Sequence, residues 1–198
     1  MITPLTTADD LNQAANLIYI TAPDLFNMIF QKKNARTALA RLIDRRENMF
    51  GAEFIRVFRQ DGNIAGLIAG HSGHEQKQIR RTEYKAFRDA IGRFWTLHYF
   101  TLMVPVIRQL TRYTINEDEY YISNVGVDQA YRGQGIATRL IHAVADEQKA
   151  KGIRKILLDV DGNNHTARTL YEHLGFTVIR QNGIFFLKEK LYTMLLPL

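Results

Sequence analysis

The chain contains no cysteine, which rules out disulfides, thiolate metal ligands and cysteine nucleophiles together. It has only four prolines and no linker, repeat or low-complexity tract. A single domain over residues 1–198 with a sizeable core is therefore expected. No run of about 18 apolar residues occurs, so no membrane span or membrane partner is expected. The opening Met1-Ile-Thr-Pro-Leu-Thr-Thr-Ala-Asp-Asp10 lacks the basic and apolar regions of a secretion signal, and cytoplasm is the expected location. His71 and His74 have ligand-like spacing, but Gly70 and Gly73 beside them suggest a loop. With no partner placed near them, they read as surface histidines, and no metal is expected. The basic residues behind the net charge of +6 are scattered and carry no nucleic-acid motif. No nucleic-acid partner is expected, although such a surface would draw in an anionic cofactor.

What is present reads as mixed α and β. Ile2–Leu5 is a short strand, and Thr7, three residues before Asp10, can start a helix carrying Leu11, Ala14, Ala15 and Ile18. Pro23 suits the first turn of a second helix, and 35–45 reads as a third. Phe54–Phe58 and Asn63–Gly70 flank Asp61-Gly62, a hairpin signal. Between about 76 and 118, Tyr84, Phe87, Ile91, Phe94, Trp95 and His98 recur at helical steps, which predicts an amphipathic helix. The apolar stretch Tyr99–Ile107 beyond it is broken at Pro105. This segment reads as a helical pair packed on the core. Its inner face could also wall an acceptor site or a homodimer contact. Near the end, Phe176–Arg180 is a strand, Gln181-Asn182-Gly183 a turn or bulge, Ile184–Leu187 a return, and Leu191–Leu196 a final strand.

The organising stretch is the apolar strand Tyr121–Val127 followed by Tyr131-Arg-Gly-Gln-Gly-Ile-Ala137. Gly133 and Gly135 remove side chains where a ligand would meet Cβ atoms. The unpartnered N–H groups opening the next helix favour a phosphate or pyrophosphate. A dinucleotide fingerprint would need a third glycine where Thr138 stands. A P-loop would need Lys-Ser/Thr where Ile136-Ala137 stand.

Arg132-x-x-Gly135-x-Ala137, with Asn164-x-x-Ala167-x-x-Leu170-Tyr171-Glu172-x-x-Gly175-Phe176 downstream, resembles the two signature segments of the GCN5-related N-acetyltransferase (GNAT) superfamily. The resemblance covers about 120–176 strongly and the N-terminal third in outline. It implies an α+β fold: a central, mostly antiparallel sheet with splayed cofactor strands, flanking helices and a helical insertion at about 76–118. It also implies acetyl-CoA as co-substrate and direct transfer of the acetyl group to a primary amine on a small molecule or a protein. Carried over by motif, Val125, Gly126 and Val127 would meet the pantetheine arm, with the Val127 N–H facing the oxyanion. Arg132, Gly133, Gln134, Gly135, Ile136 and Ala137 would cradle the pyrophosphate, and Asn164 would hydrogen-bond the cofactor.

Tyr171 matches the tyrosine near the thioester sulfur, and a phenol with pKa about 10 can protonate a departing thiolate. The plain alternative is a core tyrosine beside Leu170 and Leu174. Many relatives place a glutamate base on the cofactor strand, but this chain has Ile122-Ser123-Asn124 there. Glu119, at the start of the strand, is the candidate base. Glu53, His71 and a water relay through Ser123 are the alternatives. A non-catalytic acyl-CoA-binding module contacting a partner through the insertion is the competing function. The acceptor itself matches no motif.

Overall fold

The computed structural model describes residues 1–6, 9–30, 33–105, 114–184 and 189–198. Its sheet contains the expected hairpin, β2 (Ile55–Gln60) and β3 (Asn63–Ser72). Asp61 and Gly62 both have positive φ, 53° and 78°, the backbone of a two-residue turn whose twist matches the strands. β1 (Ile2–Pro4) extends the sheet on one side. On the other lie β4 (Glu119–Val127), β5 (Lys155–Asp161), β6 (Thr177–Ile184) and β7 (Glu189–Pro197). The strand order is β1-β2-β3-β4-β5-β7-β6, and β4 with β5 is its parallel pair.

Helices α1 (Leu11–Tyr19), α2 (Pro23–Phe30) and α3 (Ala35–Arg45) stand where the apolar spacing puts them. Thr7 lies outside the described residues. The cap of α1 is Asp10 itself, whose carboxylate accepts the N–H groups of Asn12 and Gln13. These helices bury Leu17, Ile18, Leu39, Leu42 and Ile43 with Leu67 of β3. The opposite face carries α6 (Ile136–Ala150) and α7 (His165–His173). There Ile136, Leu140, Ile141 and Val144 pack with Ile68, Ile122, Ile156 and Leu158.

The insertion begins directly after β3. Ser72 and Glu75 form a reciprocal capping box that opens α4 (Gly73–Ile91). The single long helix expected through His98 is interrupted at Gly92, whose φ of 83° breaks it into α4 and α5 (Arg93–His98). A π-helical turn, Tyr99–Met103, follows. Phe87 of α4 is fully buried and stacks on Tyr99 at 4.6 Å, within reach of Phe30 and Phe50. The helical pair is part of the core, whereas Phe94 is 72% exposed. Among the described residues, no helix is long and apolar enough to cross a membrane.

Two expectations are corrected. Gln181-Asn182-Gly183 is not a turn or bulge: all three residues pair with β7, and the irregularity falls at Ile179, between the pairs Val178–Met194 and Arg180–Thr193. The return strand at 185–187 lies outside the described residues. His71 is not a surface loop residue either; it sits on β3 with only 3% of its surface exposed.

Candidate active site

The site grows from one irregularity in β4. Gly70 pairs with Ile122 and Ala69 with Asn124, leaving Ser123 as an extra residue whose hydroxyl donates to the Ala69 carbonyl at 3.2 Å. Parallel pairing to β5 runs from Glu119–Lys155 to Ile122–Leu158 and stops at this bulge. Beyond it β4 continues to Val127 and β5 to Asp161, where β5 keeps only β7, its partner along the whole strand. The two strands thus part in a wedge whose vertex lies at Ile122 and Leu158.

Backbone groups line this wedge. Residues of an antiparallel strand turn their N–H and C=O alternately to either side. The Asp128 N–H bonds Ala65 of β3, whereas the Val127 carbonyl accepts from the Arg132 side chain. Val125 and Val127 therefore direct their peptide groups away from β3, into the wedge. Gly126 serves another purpose: a Cβ there would lie 2.4 Å from the Leu17 carbonyl oxygen, so its bareness seats α1.

The wedge opens toward the start of α6. Gly133 and Gly135 have φ of 76° and 73°, and a Cβ at either would meet nothing within 4 Å. No side chain caps α6. Its first N–H groups therefore lie uncapped by side chains at the positive end of the helix dipole, beside the open space at the two glycines, the chemistry that favours an anion. Ile136 anchors this turn in the core, Ala137 follows it, and Gln134 accepts from Gln60 at 3.3 Å. Asn164 caps α7 by accepting the Ala167 N–H, which leaves its amide NH2 as a donor on the same side chain.

Tyr171 of α7 belongs to the same core cluster as Ile122 and Leu158 at the vertex. It is nearly buried beside Phe176, and burial pushes its phenol up to about 12. From the opposite face comes a row of polar side chains, of which the sequence singled out only His71 as a candidate base. His71 of β3 is paired with Tyr121 of β4, and their rings lie 6.1 Å apart. The Tyr121 hydroxyl donates to Asp159 of β5 at 3.0 Å, and Thr193 of β7 donates to the same carboxylate at 2.6 Å. Asp159 is the first β5 residue past the vertex. Burial raises its pKa despite those two donors and the positive charge of Arg180. Burial and then the Asp159 carboxylate hold the Tyr121 phenol well above the usual range, with the Tyr171 phenol adding to the rise.

Glu119 stands elsewhere. Its carboxylate is buried at the far end of β4, accepting from the backbone and side chain of Asn116 and pairing with Lys155 at 3.5 Å. Glu53 accepts the Glu47 N–H outside the row. Asp159 could have been noticed as the one polar residue within the apolar run Ile156–Val160. No group of three residues able to hold a metal occurs among the described residues.

Comparison with known proteins fits this geometry. The chain is 43% identical over 56 residues to N-alpha-acetyltransferase 30 of Schizosaccharomyces pombe, 28% of this chain and 37% of that protein. It is 37% identical over 67 residues to the ribosomal protein bS18 alanine N-acetyltransferase of Escherichia coli, 33% of this chain and 45% of that protein. The match thus spans less than half the length of these curated relatives. A crystal structure of an N-acetyltransferase from Staphylococcus aureus superposes with a TM-score of 0.76 at 24% identity, covering 99% of this chain and 100% of the other, a likeness of fold. Residues 19–176, most of the chain, match the Acetyltransferase (GNAT) family, and the protein belongs to that family.

Proposed function

We propose that this protein is an acetyl-CoA-dependent N-acetyltransferase that moves the acetyl group directly to a primary amine, with Tyr171 as general acid and Asp159 as general base. The observation carrying this reading is that a buried phenol and a buried carboxylate approach one vertex from opposite faces of the sheet. The cofactor's arm would enter the wedge along Val125 and Val127, with its pyrophosphate on the Gly133–Ala137 turn and Asn164 donating to it. The free-base amine attacks the acetyl carbonyl, and the nitrogen sheds its proton to Asp159. As the C–S bond breaks, the Tyr171 hydroxyl gives its proton to the thiolate, and solvent restores both groups. No acyl-enzyme is required, in keeping with a chain that lacks cysteine.

Asp159 suits the base better than Glu119. A carboxylate whose pKa is raised by burial binds a proton more avidly, and Tyr121 and Thr193 hold it in place. Glu119 is committed to Asn116 and Lys155. The relatives named for acetylating a ribosomal protein's alanine and for making acetylated mycothiol support amines in general as acceptors.

The test is thiol release from acetyl-CoA against polyamines, amino acids, aminoglycosides and peptides with free N-termini. Tyr171→Phe and Asp159→Asn should each lower kcat by about a hundredfold or more while calorimetric acetyl-CoA binding survives. Loss of binding in Tyr171→Phe would make that tyrosine structural and remove it as proton donor. Binding without turnover in the native protein would leave a non-catalytic acyl-CoA-binding module in contact with a partner.

A further inference from the structure

The polar row on the acceptor face does not end at Asp159. Thr193 of β7 is the cross-strand partner of both Asp159 and Arg180 of β6, so all three side chains rise from the same face. The irregularity at Ile179 produces this: Val178 pairs with the buried Met194 on the other face, and the extra residue returns Arg180 to the Thr193 side. His71, Tyr121, Asp159, Thr193 and Arg180 thus form one line across five strands. The Arg180 charge already stabilises the Asp159 carboxylate.

We infer that Arg180 forms an anion-reading subsite, so that the preferred acceptor is a primary amine carrying a carboxylate or comparable anion on the same molecule. This rests on the transferase reading above. Two strand spacings, about 10 Å, separate the backbones of β5 and β6. Side chains from both ends shorten that span to about the length of one acceptor residue. An amine poised at Asp159 would therefore place the remainder of its molecule against Arg180. A guanidinium there attracts an acceptor's anion and repels a second ammonium, so the same residue selects acidic acceptors and rejects polyamines. The half-buried setting makes that charge less screened than one on the open surface.

The experiment measures kcat/KM for two series differing chiefly in charge: 4-aminobutyrate, its amide and 1,4-diaminobutane, and the C-terminally amidated tripeptides Ala-Glu-Ala, Ala-Gln-Ala and Ala-Lys-Ala. In whichever series turns over, the anionic member should exceed the cationic one by about tenfold or more, with the neutral member between. Arg180→Glu should invert that order and Arg180→Gln should flatten it, while the KM for acetyl-CoA moves less than twofold. Inversion is the readout that a merely structural role would not produce. Equal rates across a series, or an order that Arg180→Glu leaves unchanged, overturns the subsite and leaves the transferase standing. Absence of turnover with every acceptor, including the broader panel above, overturns the transferase reading and this inference with it.

Discussion

His71 and Asp159 sit on one row and are shifted in opposite senses by burial, because burial disfavours whichever form is charged. His71 lies between Phe54 and Tyr121, and burial lowers its pKa from 6.5 to about 4, with Arg80 adding to the fall and Glu75 opposing it. Its Nδ1 has no hydrogen-bond partner among the described residues. The unfolded chain takes up a proton near pH 6.5 that the native state refuses until about pH 4. Stability contributed by the neutral ring is therefore complete above pH 6.5 and drains away as pH falls to 4, by an amount on the order of 3 kcal/mol. Denaturant titrations at several pH values should show this loss, and His71→Phe should flatten it. An equally steep loss in the variant would place the cause elsewhere. Asp159 runs the other way. Its folded pKa is raised, so the ionised form costs stability at neutral pH, and Asp159→Asn should raise Tm there even as it removes turnover. The gain should vanish once the pH drops below the unfolded carboxyl value of about 4. In the native enzyme, the acid limb of kcat/KM should lie above the ordinary aspartate range.

At the scale of elements, the turn into α6 is where the proposed function puts the cofactor's pyrophosphate. Gly135 is left-handed at the start of the helix, and a Cβ there would touch nothing within 4 Å. Gly135→Ala should therefore cost only about 1 kcal/mol of stability, through its φ. Its methyl would nonetheless crowd that open space, so acetyl-CoA KM should rise about tenfold or more with Tm down a few degrees. A KM unchanged within twofold would detach this turn from the cofactor. The same strand–turn–helix was legible in the sequence because glycine spacing, apolar run and helix periodicity all agreed. The β2–β3 hairpin was legible because Asp61-Gly62 names its turn. β6 was misread for the converse reason: Gln181-Asn182-Gly183 has turn chemistry, yet pairing with Tyr192, Leu191 and Lys190 of β7 overrides it. His71 was named among the alternative bases, but Asp159 was not, because strand order, which no local pattern encodes, decides that the two share a face.

At the scale of the molecule, one sheet separates two apolar layers, and the vertex where β4 and β5 part needs both. The helices of the first layer hold β4 from one side: Thr21 accepts from Asn124 at 2.8 Å, and Leu17 lies against Gly126. The second layer brings Tyr171 and the α6 turn. The insertion belongs to the first layer in the full energetic sense, since Phe87 joins Phe30, Phe50, Tyr99 and Phe100 in one aromatic cluster. Phe87→Ala should therefore destabilise the protein by about 3–5 kcal/mol, the cost of a large buried ring with a cavity left behind. The loss should appear as one cooperative transition followed alike by far-ultraviolet circular dichroism and by Trp95 fluorescence. Coincident curves would mean that α4 and α5 fold with the domain and can transmit strain to β4. If the fluorescence transition came first, with most secondary structure intact, the insertion would be an independently melting appendage, and its aromatic face would be available for contacts other than the core.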